Sequence, residues 1–318
     1  GEIYNFAELR SELSSKGHQF NTQGDTETIL NAWLEWGPDC VQHLRGMFAF
    51  AIWDKQQQCL FLARDRLGIK PMFYTLLHNG QFIFGSELKV LRQHPKFNHQ
   101  LRHTAIEDYF TFGYVPEPHT IYQHSYKLSP GHTLLLKHGS TSLPEPVQYW
   151  DVPTHWDNAL TTDTVQQELI SRLREAVKIR LVAEVPLGAF LSGGVDSSAV
   201  VAMMAGLQQD AVNTCSIGFD NPKYNETEFA RQVAARYQTA HHESTVSEND
   251  FGLLDTLADL YDEPYADSSA IPTYRVCEMA RRNVTVALSG DGADELFAGY
   301  RRYKLHMHEQ RLRDALPL

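Results

Sequence analysis

Hydrophobic and polar positions follow two different rhythms along this chain. In the first half, Met47-Phe48-Ala49-Phe50-Ala51-Ile52-Trp53 and Cys59-Leu60-Phe61-Leu62-Ala63 are apolar, aromatic-rich runs on either side of the polar segment 54–58. Two such runs around a short polar segment predict a β-hairpin with one face deeply buried. A second hairpin is predicted for residues 72–77 and 81–85, because His78-Asn79-Gly80 between them holds an Asn-Gly tight-turn pair. Helical stretches lie over residues 5–16 and 26–36. Helices plus repeated hairpins predict sheets covered by helices.

The second half alternates helical and strand patterns. Residues 165–181 are amphipathic, with Leu169, Leu173, Ala176 and Val177 on one face. Residues 185–191 form a short apolar run, 197–205 read as a buried helix, and 212–219 as a strand. Asn225 followed by Glu228 reads as a capping box for a helix carrying Phe229, Val233 and Tyr237 at four-residue spacing. Residues 283–288 are a further continuous apolar strand. This alternation predicts βαβ units and a parallel sheet covered on both faces. A polar, Pro-containing stretch from about Ser140 to Thr164 separates the halves, so domains are expected at 1–145 and 160–318. The sequence holds no internal repeat and no low-complexity tract.

A length of 318 residues suits about two domains. The 42% hydrophobic content supplies enough apolar material for two cores. A net charge of −11 argues against nucleic acid or anionic membrane as a partner, since both need basic patches. No apolar run approaches the roughly 20 residues that span a bilayer, so neither a membrane span nor a signal peptide is expected. Cys40, Cys59, Cys215 and Cys277 lie beside apolar residues without redox or metal spacing. Free buried thiols in a reducing, cytoplasmic setting are therefore expected. His241-His242-Glu243 lacks further ligands at metal spacing and is expected as a surface or partly packed strand end. A homodimer is left open.

The sharpest chemical signal is Phe190-Leu191-Ser192-Gly193-Gly194-Val195-Asp196-Ser197-Ser198, placed between a buried strand and an apolar helix. That is where an α/β sheet presents its ligand crevice. Two glycines let the backbone approach a phosphate, and the helix N-terminus offers unpaired N–H groups. Ser192, Ser197 and Ser198 add hydroxyl donors. A carboxylate at Asp196 beside phosphates is repulsive unless Mg²⁺ bridges them, so a metal–nucleotide complex is expected. The stretch lacks the Gly-Lys-Ser/Thr ending of a Walker loop.

This stretch resembles the SGG-x-DSS pyrophosphate-binding motif of the N-type ATP pyrophosphatases. Leu288-Ser289-Gly290-Asp291-Gly292-Ala293-Asp294-Glu295-Leu296-Phe297-Ala298-Gly299-Tyr300 resembles the second signature of the asparagine synthetase family. The resemblance implies ATP cleaved between its α- and β-phosphates and a carboxylate adenylated, with ammonia then displacing AMP. It implies AMP contacts from Leu191, Ile217, Ser289 and Gly290, and Mg²⁺-pyrophosphate held by Asp196 and Asp294. Asp291 would serve the acyl-adenylate step and deprotonate the incoming ammonium, tasks that suit a carboxylate. Ala293 and Ala298 stand where the family often has Gly, a difference that touches no ligand side chain.

Gly1-Glu2-Ile3-Tyr4-Asn5 resembles the interior of a class II glutamine amidotransferase signature. Residues 24–28, 45–51, 64–71 and 86–89 resemble further elements of that domain. An α/β/β/α sandwich of the Ntn-hydrolase type, in part, is the implied fold, followed by a doubly wound parallel-sheet ATP-pyrophosphatase domain. Gly1 would serve the oxyanion hole, and Glu2 and Asp25 glutamine recognition. The N-terminal Cys nucleophile of the family is not among these residues. The chain is expected to be a piece of a longer protein that carries that Cys, truncated at both ends. The implied substrates are glutamine, ATP and aspartate. Residues 263–272, Glu263-Pro264-Tyr265-Ala266-Asp267-Ser268-Ser269-Ala270-Ile271-Pro272, lie where the acceptor pocket is expected. They look more like paralogues acting on other carboxylates, in secondary metabolism or envelope polysaccharide pathways. A non-catalytic nucleotide-binding relative is the third reading.

Overall fold

A computed structural model describes residues 1–154, 161–183, 185–220, 225–246 and 250–316. The chain divides into two compact units, Gly1–Ala159 with Leu254–Ser268, and Leu160–Leu253 with Ser269–Leu318. The first unit runs β1 (Glu2–Ile3), α1 (Phe6–Ser15), α2 (Asp25–Trp36), α3 (Cys40–His43), β2 (Gly46–Met47), β3 (Ala49–Asp54) and β4 (Cys59–Arg64). It continues through β5 (Phe73–Leu76), β6 (Phe82–Gly85), α4 (Leu88–Arg92), α5 (His103–Phe112), β7 (Ser125–Lys127), β8 (His132–Lys137) and β9 (Val147–Gln148).

Both expected hairpins form: β3 pairs antiparallel with β4 from Ala49↔Arg64 to Asp54↔Cys59, and β5 with β6 from Phe73↔Gly85 to Leu76↔Phe82. They belong to separate sheets, ordered β3-β4-β8-β9 and β6-β5-β7. The period-2 alternation of the strands then sorts side chains into three layers of core. Ile52, Cys59, Phe61 and Ala63 pack with Leu9, Leu13, Ala32 and Trp33 of α1 and α2. Leu62 and Leu134 of one sheet meet Tyr74 of the other, with Leu60 and Tyr126 alongside. Phe73 packs with Leu88, Leu91 and Ala105 of α4 and α5. The result is the α/β/β/α sandwich implied by the sequence. Part of the polar stretch after Ser140 also belongs here, because β9 pairs with β8 and Tyr149 Oη donates to the Arg64 carbonyl at 2.8 Å. Residues 155–160 of that stretch lie outside the described residues.

The second unit begins with α6 (Thr162–Arg180), β10 (Leu187–Phe190), α7 (Val195–Ala205), β11 (Asn213–Phe219), α8 (Thr227–Tyr237) and β12 (Ala240–Val246). Next, α9 (Leu254–Leu260) lies in the segment that packs with the first unit. The second unit resumes with α10 (Ala270–Ala280), β13 (Val286–Leu288), α11 (Ala293–Phe297) and α12 (Arg301–Ala315). Its sheet is wholly parallel in the order β12-β11-β10-β13. Ala189, Leu191 and Val212 face a cluster with Val200, Val201, Met204, Ala230 and Ala234 of α7 and α8. Cys215, with Phe190, Ile217 and Ala287, faces Val276, Met279 and Ala280 of α10. Both faces of the sheet are thus covered, as its near-continuous apolar strands require.

Four details depart from expectation. The apolar stripe of α6 is covered only from Leu173 onward, while Val165, Leu169 and Ile170 are 45%, 40% and 56% exposed. A 19-residue helix is about 28 Å long, longer than the short strands beside it. The buried face of α8 is Thr227, Ala230 and Ala234, and Phe229 is exposed, because the helix approaches another backbone too closely for large side chains. Its start is not a capping box: Asn225 Oδ1 accepts the Thr227 N–H at 3.2 Å, and Glu228 makes no reciprocal bond to the cap. Finally, Cys40, Cys59 and Cys215 are buried but Cys277 is exposed, because α10 turns Val276, Met279 and Ala280 inward. No helix among the described residues is long and apolar enough to cross a membrane.

Candidate active site

Strand order marks where a candidate site lies. The chain steps outward from β10 to β11 and β12, then returns to place β13 on the opposite side of β10. Such a reversal opens a crevice beyond the carboxyl ends of β10 and β13. Both motif loops leave from those ends, one after Phe190 and one after Leu288. The adjacent strands are in register at Ala189↔Leu288.

The first loop is pinned at its base. Leu191 N–H donates to the Cys215 carbonyl at 2.9 Å, Ser216 Oγ donates to the Leu191 carbonyl, and the Leu191 side chain is buried in the core. Ser192 and Ser197 then close a ring. Ser197 Oγ accepts the Ser192 N–H at 3.2 Å, lies 2.9 Å from Ser192 Oγ and donates to the Gly194 carbonyl at 3.2 Å. Ser192 Oγ accepts the Gly194 N–H at 3.2 Å. These two hydroxyls therefore build the loop, whereas Ser198 Oγ is buried and has no hydrogen-bond partner. Gly193 has φ +85°, and a Cβ there would lie 2.6 Å from Phe229 Cβ and 2.7 Å from the Ala230 nitrogen. Only glycine meets both conditions. The helix that follows, α7, starts at Gly194 with no side-chain cap, so its first-turn N–H groups and dipole end are presented to the crevice.

The second loop reaches the first through Gly290. A Cβ on Gly290 would lie 2.8 Å from the Ser197 nitrogen and 2.9 Å from Asp196 Cβ. Ser289 Oγ donates to Asp291 Oδ2 at 3.0 Å. Asp294 lies in the first turn of α11, and Gly299 is held beside it, its N–H donating to the Asp294 carbonyl at 3.0 Å. A Cβ on Gly299 would strike Asp294 Oδ1 at 1.8 Å. The third acid of the run, Glu295, is taken by Tyr300, whose hydroxyl donates to Oε1 at 2.6 Å. That bond lowers the Glu295 pKa and pushes the Tyr300 hydroxyl up to about 12. Neither Asp196 nor Asp294 makes a side-chain hydrogen bond or ion pair among the described residues. Ile217 sits half-buried on β11, packed against the same core cluster as Phe190.

The donor set suits a metal that arrives on phosphates. No group of three or more His, Cys, Asp or Glu among the described residues is placed to hold a metal by itself. Mg²⁺ characteristically takes one or two carboxylates and completes its shell with phosphate oxygens and water. Asp196 and Asp294 are carboxylates of that kind, and the uncapped α7 N-terminus with the unpartnered Ser198 hydroxyl suits phosphate oxygens.

The expected glutamine residues gather in the first unit. β1 pairs with β2 through Glu2↔Met47 and Ile3↔Gly46, and Asp25 Oδ2 accepts the Ile3 N–H at 3.0 Å. A Cβ on Gly1 would lie 2.6 Å from the Met47 carbonyl oxygen. Glu2 is exposed and Asp25 half-buried at the start of α2. The neighbouring Arg64–Pro71 stretch has a structural role. Buried Asp65 accepts N–H groups of Phe48, Leu67, Ile69 and Lys70 at 3.0–3.2 Å. Arg64 bonds the carbonyls of Lys70, Leu128 and Gly68 and pairs with Glu117 at 2.7 Å.

Residues 1–150 match the family model of a glutamine amidotransferase domain, and residues 168–318 match that of asparagine synthase. The class is therefore an amidotransferase domain followed in one chain by an asparagine-synthase α/β domain. A Methanocaldococcus jannaschii protein provisionally named asparagine synthetase (glutamine-hydrolyzing) 2 is 41% identical over 94% of this chain and 58% of its own length. Asparagine synthetase (glutamine-hydrolyzing) 1 of Bacillus subtilis is 37% identical over 96% of this chain and 47% of its own. The Penicillium rubens amidase chyE is 28% identical over 96% and 47%. The chain spans about half the length of these curated relatives. It belongs among the proteins that join a glutamine amidotransferase domain to an asparagine synthase domain.

Proposed function

We propose that the parent of this chain makes asparagine, AMP, pyrophosphate and glutamate from aspartate, ATP and glutamine in the cytoplasm. The observation that carries the reading is the meeting of the two loops at Gly290, which sets an acid-bearing loop against the first turn of α7. The α7 N–H groups and Ser198 Oγ would receive phosphate oxygens. Asp196 and Asp294 would hold Mg²⁺, which when bound neutralises the phosphates and eases departure of pyrophosphate. The acceptor carboxylate oxygen then bonds the α-phosphorus as the bond to pyrophosphate breaks. Ammonia attacks the activated carbonyl, AMP departs, and Asp291 takes the proton from nitrogen. Glu2 and Asp25 would grip glutamine, whose hydrolysis supplies the ammonia.

Aspartate is the leading acceptor. The Glu263–Pro272 segment favours a second carboxylate as the alternative. The test is pyrophosphate release by the parent enzyme with Mg²⁺-ATP, ammonia and a panel of carboxylates. Release with aspartate alone supports asparagine synthesis, and release with another carboxylate selects the alternative. No release with any carboxylate overturns the synthetase reading.

A further inference from the structure

The segment Leu254–Ser268 lies in sequence inside the stretch matched by asparagine synthase, yet it packs as part of the first unit. It is tied there at three points. Asp262 accepts the Leu88 and Lys89 N–H groups at 2.6 and 3.1 Å at the start of α4. Lys89 Nζ in turn donates to the carbonyls of Asp259 and Leu260 at 3.2 and 2.7 Å. Glu263 Oε1 accepts the Ile121 N–H at 2.6 Å, and Oε2 lies 2.6 Å from Lys127 Nζ. Ala266 N–H donates to the Gly113 carbonyl at 2.8 Å.

The Lys127–Glu263 pair stands out among these ties. Both side chains are largely buried, 13% and 12% exposed, and Lys127 Nζ also donates to the Val115 carbonyl at 2.7 Å. A buried pair of this kind adds little net stability, because desolvation offsets the attraction. Its directional bonds do fix geometry: with both oxygens of Glu263 engaged, the backbone at 263 has one place to be. The pair also walls a cavity of about 600 Å³, to which Pro264 and Tyr265 contribute. Glu263 is the first residue of the segment expected to carry the acceptor pocket.

We propose that Lys127, a residue of the amidotransferase sandwich, is a positioning residue for the carboxylate acceptor, acting through Glu263 on the segment 263–268. Its functional arm rests on the acceptor assignment made above; its structural arm does not. Misplacement of reacting groups by about 1 Å lowers rates by up to on the order of a hundredfold. Lys127→Met in the parent enzyme should therefore raise the acceptor KM by about tenfold or more when ammonia is the nitrogen source. The KM for ATP and the rate of glutamine hydrolysis should stay within about twofold of the parent. Hydrogen exchange supplies the structural arm and needs no activity: amides of residues 261–268 should lose protection while those of β3 and β4 do not. If Lys127→Met does not fold, the pair-neutral variant Lys127→Met with Glu263→Gln takes its place, because Gln keeps an acceptor for the Ile121 N–H. The same changes are expected there, smaller in size. Unchanged exchange at 261–268 in a folded variant overturns the proposal. So does an acceptor KM that moves only together with the ATP KM and glutamine hydrolysis. If the unsubstituted parent releases no pyrophosphate with any carboxylate, the acceptor reading fails, and exchange alone decides the tie.

Discussion

The two loops at the ends of β10 and β13 sit side by side but are built differently. Leu191–Gly194 is closed by a ring of serine and backbone hydrogen bonds, anchored by Ser216, and fitted so tightly to α8 that Gly193 admits no side chain. Ser289–Gly292 is braced by Ser289 on Asp291 and rests on its neighbour through Gly290. A phosphate site works best with donors fixed beforehand, so that no reorganisation is needed on binding. The role proposed for Asp291 on the second loop, taking a proton from an incoming amine, tolerates a looser mounting.

The largest expected effect tests that contrast directly. Gly193→Ala adds a clash to backbone strain of roughly 1–3 kcal/mol and should abolish Mg²⁺-ATP binding measured by calorimetry. Gly292→Ala meets open space at φ +92°, so it should cost only the strain of about 1–2 kcal/mol, read as a lower thermal midpoint with binding retained. Equal losses at the two positions would break the comparison. Gly290→Ala should come next. Its Cβ would push the loops apart at Ser197, so pyrophosphate release should fall more than the unfolding midpoint does. Ser198→Ala should lower ATP affinity by about 1 kcal/mol, while removal of a buried, unpartnered hydroxyl leaves stability equal or higher. Loss of both stability and affinity would give Ser198 a structural role instead.

Much of this was legible in the sequence, for reasons that can be named. Residues 47–53 and 59–63 predict a hairpin with one buried face, whereas β4 buries both faces in the layered sandwich, which is why its run is apolar at every position. The two motif loops were legible because glycines and acids after apolar strands have few other uses. The buried face of α8 was not, since spacing favoured Phe229, whereas the close approach at Gly193 selects Ala230. Ala298 touches no ligand side chain, yet it caps α11 with φ +55°. Ala298→Gly should therefore stabilise the second unit by about 0.5–1 kcal/mol in chemical denaturation. The docking of 254–268 left no local trace either, because Lys127 and Glu263 each look like ordinary surface charges until the fold brings them together.

The smallest predicted effect lies at the edge strand, away from both loops. His241 is held by Thr214 at 2.9 Å, and burial lowers its pKa, with Glu243 acting partly against that shift. A histidine with a depressed folded pKa stabilises fully above its unfolded value of about 6.5 and loses that contribution as pH falls through the folded value. The thermal midpoint should therefore drop less between pH 7.5 and pH 5 in His241→Gln than in the parent. An identical drop would remove His241 from the account.

The excursion at Leu254–Ser268 bears on how such a protein can be taken apart or recombined. A gene split in the linker near residue 160 would respect the boundary drawn by sequence families but not the one drawn by packing. The amino-terminal product would lack the carboxylates that cap α4 and neutralise Lys127. The carboxy-terminal product would carry Asp262 and Glu263 with nothing to hold. Exchange of either half between relatives therefore has to carry residues 254–268 along with the amidotransferase half, or match both sides of the Lys127–Glu263 tie.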